Sequence, residues 1–82
     1  MIRINVFLFS TIRTIIGQKE FVLELPEDST VLDLKVEIGR LFPHSEAAVR
    51  TMLTSVNRVF SNDEEILCDQ AEVAFFPFVS GG

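Results

Sequence analysis

Ile2-Arg3-Ile4-Asn5-Val6-Phe7-Leu8-Phe9 alternates apolar with polar residues in its first half and becomes apolar on both faces in its second. Period-two alternation marks a strand with one buried face, and apolar residues on both faces mark a strand in the interior of a sheet. Glu72-Val73-Ala74-Phe75-Phe76-Pro77-Phe78-Val79 has the same character near the other end of the chain. As the most apolar strands, the two belong side by side and parallel in the middle of one sheet, with a helix across them. Alternation then points Ile2, Ile4, Val6 and Leu8 toward the helix and leaves Arg3, Asn5, Phe7 and Phe9 on the open face. It also sends Phe75 and Phe76 to opposite faces, with Phe76 beside Phe9.

Working inward, residues 10–19 hold Gly17 and an Ile12/Ile15/Ile16 cluster, which predicts a turn or a single helical turn. Phe21-Val22-Leu23-Glu24-Leu25 alternates again and predicts an antiparallel strand, closed by Pro26 because proline cannot donate to a ladder. Thr30 with Asp33 forms a capping-box pattern, and Val31, Leu34, Ile38 and Leu41 then recur at helical spacing. Gly39 weakens that helix, and Pro43 disfavours helical geometry at Phe42 and ends it. Residues 45–50 read as an irregular turn or a short helix. Residues 52–56 read as a strand, Asn57-Arg58 as a turn, and Val59-Phe60 as the start of the return. The expected architecture is α+β: a β-grasp with a mixed four- or five-stranded sheet and one main helix on one face. It is expected to be a single domain over residues 1–82, with 78–82 as an extended tail.

Composition limits the function. The 82 residues, 48% of them apolar and eight of them Phe, suffice for a compact core but not for a large enclosed active site. Seven basic against twelve acidic residues give a net charge of −5, which disfavours nucleic acid and anionic membranes as partners. No apolar run approaches the roughly 20 residues of a membrane span. The single Cys68 and the lack of a charged leader with an apolar segment suggest a reducing, cytoplasmic setting.

Glycine has no Cβ, so the terminal Gly81-Gly82 pair can extend through a narrow channel and offer its last carbonyl carbon to another enzyme. Asp69-Gln70-Ala71-Glu72-Val73-Ala74-Phe75-Phe76-Pro77-Phe78-Val79-Ser80-Gly81-Gly82 resembles the D-G-D-E-V-A-F-F-P-P-V-S-G-G ending of the MoaD family, the small subunits of molybdopterin synthase. That family stands within the ThiS/MoaD ubiquitin-like sulfur carriers. Ser55-Val56-Asn57 matches a frequent A-V-N, and Phe7 to Gly17 loosely follows F-x-A-x-x-R-E-x-x-G through Arg13 and Gly17. The likeness is strong from Ser55 onward and weak over residues 18–54. There are three departures. Gln70-Ala71 replaces Gly-Asp, so the turn there lacks a glycine for positive φ; Phe78 replaces a second proline; and Thr14 stands where Glu is common.

The resemblance implies a sulfur carrier subunit that is not catalytic alone and works in a sulfurtransferase hetero-oligomer for molybdenum cofactor biosynthesis. Gly82 would be adenylated and converted to a thiocarboxylate, with Gly81 allowing the tail to thread. Phe9, Phe60 and Phe76 would form a partner-docking patch, joined by Pro77, Phe78, Val79 and Ser80. The implied partners are a MoaE-like large subunit, a MoeB-like ATP-dependent adenylyltransferase and a sulfur donor. No cofactor is held permanently; AMP and sulfur are attached transiently at Gly82, and no metal ligand set is expected. Competing readings are a ThiS-like carrier for thiamine, a carrier for tRNA thiolation or a ubiquitin-related modifier, and a non-catalytic β-grasp binding module.

Other residues invite blander readings. Cys68, flanked by apolar residues, is expected to be a small buried hydrophobe. His44 lacks the Cys and second His that metal or triad chemistry needs, and is expected at the surface. Asp63-Glu64-Glu65 reads as a solvated loop. The absence of a glycine-rich phosphate loop assigns ATP binding to the activating enzyme.

Overall fold

The computed structural model describes residues 1–78. The chain runs through β1 (Ile2–Leu8), α1 (Ser10–Ile16), β2 (Glu20–Leu25), α2 (Val31–Leu41), a 3-10 turn (Pro43–Ser45), α3 (Glu46–Arg50), β3 (Leu53–Val56), β4 (Val59–Ser61) and β5 (Glu72–Phe76). These five strands form one mixed sheet in the order β2-β1-β5-β3-β4. The first and last strands are central and parallel, paired Val6 with Val73 and Leu8 with Phe75. The pairs β1/β2, β3/β4 and β3/β5 are antiparallel. This is the β-grasp arrangement that the two apolar ends dictate.

The helices cover one face. Ile4, Val6, Val73 and Phe75 from the sheet are fully buried beneath Leu34 and Ile38 of α2. Each such side chain contributes about 1.5–3 kcal/mol through loss of contact with water. Thr30 opens α2 with the expected capping box: its hydroxyl accepts from Asp33 N–H at 3.2 Å, and Asp33 Oδ2 accepts from Thr30 N–H at 2.9 Å. The stripe of α2 is not the one its apolar residues suggest, because Leu41 is exposed while Lys35 and Gly39 are buried. A Cβ at Gly39 would lie 3.1 Å from Glu46 Cγ and 3.3 Å from Glu46 Cα. Close approach of α3 therefore requires a glycine here, and outweighs its cost of about 1 kcal/mol within a helix.

Residues 10–19 hold more helix than a turn. α1 makes nearly two turns, buries Ile12 against the core and ends at Gly17, whose φ of +84° lets its N–H reach Arg13 O at 2.8 Å. Of the two readings left open for residues 45–50, the short helix α3 is the one formed. The last strand ends at Phe76 rather than at residue 79, since Pro77 has no N–H with which to extend the ladder.

Left-handed residues shape the turn between β3 and β4 and the turn before their partner strand β5. Asn57 and Arg58 link β3 to β4 with φ of +50° and +70°, the pattern that matches the twist of a two-residue hairpin. Before β5, Gln70 takes φ of +68°, so the missing glycine leaves the positive φ in place at some cost in strain. Arg3 anchors that turn: its N–H donates to Asp69 Oδ1 at 2.7 Å, and its carbonyl accepts from Gln70 N–H at 2.7 Å. Cys68 is exposed, contrary to the expectation of a buried thiol. Its neighbours Leu67 and Ala71 fill the core instead, because they flank the turn on its inner side.

Candidate functional site

Among the described residues no helix covers the other face of the sheet, and the strand registers decide what lies on it. Phe7 of β1 is level with Ala74 of β5, which is opposite Ser55 of β3, itself opposite Phe60 of β4. One step along, Phe76 is opposite Leu53, and Phe9 follows just past the end of β1. The rings of Phe9 and Phe76 stack with centroids 4.9 Å apart and planes 6° from parallel. Phe60 meets Phe76 edge-on at 6.1 Å and 65°. Phe76, half-buried, is the centre of the cluster, while Phe9 remains 43% and Phe60 70% exposed.

Aromatic pairs of this kind add about 0.5–1.5 kcal/mol each beyond their area. That gain does not require the outer rings to face water. A contiguous apolar patch on an uncovered sheet face marks an interaction surface. Beside it, Phe7, Phe9, Arg58, Glu72 and Ala74 line a hollow of about 300 Å³ that continues the patch toward the start of β5. Asn57 fixes that start from both sides, donating its N–H to Glu72 O at 2.8 Å and accepting from Glu72 N–H at its Oδ1 at 2.9 Å.

The structure thus brings together Phe9, Phe60 and Phe76, three positions far apart in sequence. Pro77 is half-buried beyond them and Phe78 exposed. Val79, Ser80, Gly81 and Gly82 lie outside the described residues. Leu53 belongs to the same face as Phe76 and was not singled out from sequence; continuing the alternation of β3 into register with β5 would have found it. Asn57 is in the turn expected from the sequence, and its left-handed φ with its side-chain carbonyl is the physical reason for an asparagine there.

Among the described residues no group of three or more His, Cys, Asp or Glu is arranged to hold a metal ion. Asp63 is more than a solvated residue, since its carboxylate pairs with the buried Lys35 at 2.8 Å. No helix of the described residues is long and apolar enough to cross a membrane. From the patch, β5 runs on into Pro77 and Phe78, the last of the described residues.

The ThiS family model matches residues 6–82. The molybdopterin synthase sulfur carrier subunit of Chlamydomonas reinhardtii is 30% identical, covering 98% of this chain and 99% of that protein. Among solved structures, the putative molybdopterin converting factor, subunit 1, from Pyrococcus furiosus is 26% identical with a TM-score of 0.87, covering 96% of this chain and 100% of that one. The fold also recurs, at a TM-score of 0.69 and 17% identity over 99% of this chain and 100% of that one, in the complex of subunits 1 and 2 of molybdopterin-converting factor from Helicobacter pylori. With a family match to all but its first five residues, carried on a β-grasp strand order, the chain belongs to the ThiS family.

Proposed function

We propose that this chain is the sulfur carrier subunit of a molybdopterin synthase, delivering sulfur from its C-terminal Gly82. The observation that carries the reading is the stacked Phe9–Phe76 pair with Phe60 on the uncovered sheet face, at the end of the strand that leads to Gly81-Gly82. A partner seated on that patch would receive the tail in a fixed direction. The sulfur carrier relatives support the sulfur chemistry, and the Helicobacter pylori complex supports a larger second subunit as that partner.

In the proposed sequence an adenylyltransferase of the MoeB type binds ATP. The Gly82 carboxylate oxygen bonds to the α-phosphorus and pyrophosphate leaves. The terminal sulfur of a donor persulfide then attacks the acyl carbon, the bond to the AMP oxygen breaks, and AMP departs. A thiol cleaves the resulting acyl disulfide by two-electron reduction, leaving a thiocarboxylate on Gly82 and a disulfide on the donor side. On a large subunit of the MoaE type, two such carriers supply the dithiolene sulfurs to a cyclic pyranopterin and return as carboxylates. This chain supplies the docking face and the acyl terminus, while the enzymes it visits supply nucleotide binding and acid-base groups.

The test is a single-turnover mixture of thiocarboxylated protein, large subunit and cyclic pyranopterin precursor. Dithiolene formation with Gly82 returned to the carboxylate is expected. A thiocarboxylate that stays intact with no dithiolene formed would overturn the reading and favour a thiamine or tRNA acceptor.

A further inference from the structure

Among the described residues β2 is an edge strand, paired only with β1, and the phase of its hydrogen bonds can be read from the end of the ladder. Leu8 N–H donates to Lys19 O at 2.9 Å, so Leu8 and Lys19 form a bonded pair. Bonded pairs recur every second residue of an antiparallel ladder. Phe21, Leu23 and Leu25 therefore direct their backbone groups toward β1, and Glu20, Val22 and Glu24 direct theirs outward. Across the sheet, Asn5 N–H bonds to Ala71 O on the β5 side, as the same phase requires.

Proteins blunt free edges of this kind because an exposed row of N–H and C=O groups is a template for another strand. Here the protection is one-sided. Glu20, Val22 and Glu24 carry exposed side chains on the open face. In the self-pairing register that uses all three residues, centred on Val22, Glu20 of each copy faces Glu24 of the other. Like charges placed directly opposite disfavour that pairing. A basic strand meets the opposite condition. Neither Glu20 nor Glu24 is in an ion pair among the described residues, although Arg3 is level with Glu24 on β1. Glu27 and Asp28, beyond the end of β2, continue the negative charge from Glu24 along a groove of about 490 Å³. A smaller hollow of about 230 Å³, lined in part by Asn5, Phe7 and Val22, opens beside the edge for one side chain of an arriving strand.

We propose that the free edge of β2 is a second docking site, distinct from the aromatic patch, which takes an extended basic segment of a partner protein as a sixth strand. The segment that fits has basic residues opposite Glu20 and Glu24 and an apolar residue between them opposite Val22. Backbone pairing supplies attachment and the two carboxylates select the sequence. The inference is independent of the sulfur chemistry.

The probe is a synthetic peptide centred on Arg-Thr-Val-Thr-Arg, added at millimolar concentration to the full chain while amide exchange is followed residue by residue. Exchange at Glu20, Val22 and Glu24 should slow, with affinity falling as salt rises. Glu20→Lys with Glu24→Lys should weaken binding about tenfold or more. Val22→Pro removes only an outward N–H, so it should keep the β1 ladder and abolish binding. Unchanged exchange at these three amides, protection confined to the Phe9–Phe76 patch, or equal affinity for a peptide with Glu in place of Arg would each overturn the proposal.

Discussion

Lys35 Nζ lies 2.8 Å from Asp63 Oδ1 and 3.3 Å from Met52 O, with the lysine side chain 6% and the aspartate side chain 45% exposed. The pair fastens α2 to the loop after β4. Asp63→Ala leaves a buried ammonium with only a carbonyl, and should cost about 1–3 kcal/mol, below a fully buried pair because Asp63 is half in water. Lys35→Met keeps the packed stem and removes the charge, so it should stay within about 1 kcal/mol of the parent. Urea midpoints of the two variants measure this. Equal losses would show that packing, not the unpaired charge, is responsible.

Phe75 and Phe76 are adjacent in sequence and opposite in role. Phe75→Ala should destabilise by about 3–5 kcal/mol, as expected for emptying a fully buried ring position. Phe76→Arg should fold, since its ring is on the open face, but bind the large synthase subunit about a hundredfold more weakly, as a central docking residue does. Calorimetric titration alongside thermal unfolding separates the two effects. Unchanged affinity in folded Phe76→Arg would remove the patch from the interface.

The left-handed turns should respond in opposite directions. Asn57→Ala places a poor residue at φ of +50° and deprives Glu72 N–H of its acceptor, a loss of about 1–3 kcal/mol. Gln70→Gly relieves strain at φ of +68° and should stabilise by up to about 1 kcal/mol. Denaturant unfolding of both variants checks the signs.

Asp69 gives a pH signature. The Arg3 backbone N–H on its carboxylate, aided by the Gln70 side chain and backbone, holds its pKa below the ordinary 3.8. With the folded value depressed, the contribution is fully present above the unfolded value and is lost as pH falls through the folded one. Stability of the parent should therefore decline more steeply below about pH 4 than that of Asp69→Asn. Superimposable acid limbs for the two proteins would refute the link.

Much of this fold is legible where local chemistry and tertiary packing agree. Alternation in β1 fixes its two faces, the Thr30/Asp33 box starts α2, and the stacked face follows from combining those registers. Elsewhere packing overrides local character. Lys35 joins the buried side of α2, where apolar spacing does not put it, because Asp63 and Met52 O are placed around it. Leu41 reads as core until Gly39 is claimed by α3, and Cys68 reads as buried until Leu67 and Ala71 fill that space. In residues 10–19 the helical reading is the one formed, longer than a single turn, and Gly17 is its helix-ending signal visible in the sequence.

The strand order carries a consequence for how the molecule is made. β1 with β2 and β3 with β4 are hairpin-like units of short sequence separation, and among the described residues β5 is the one strand joining them. Contacts between distant segments form slowly relative to local ones, so β5 should insert late. Until it does, Phe9 has no Phe76 to stack on and the two units share no sheet. An enzyme that reads both rings together would thereby act as an inspector of finished molecules, passing over half-assembled carriers.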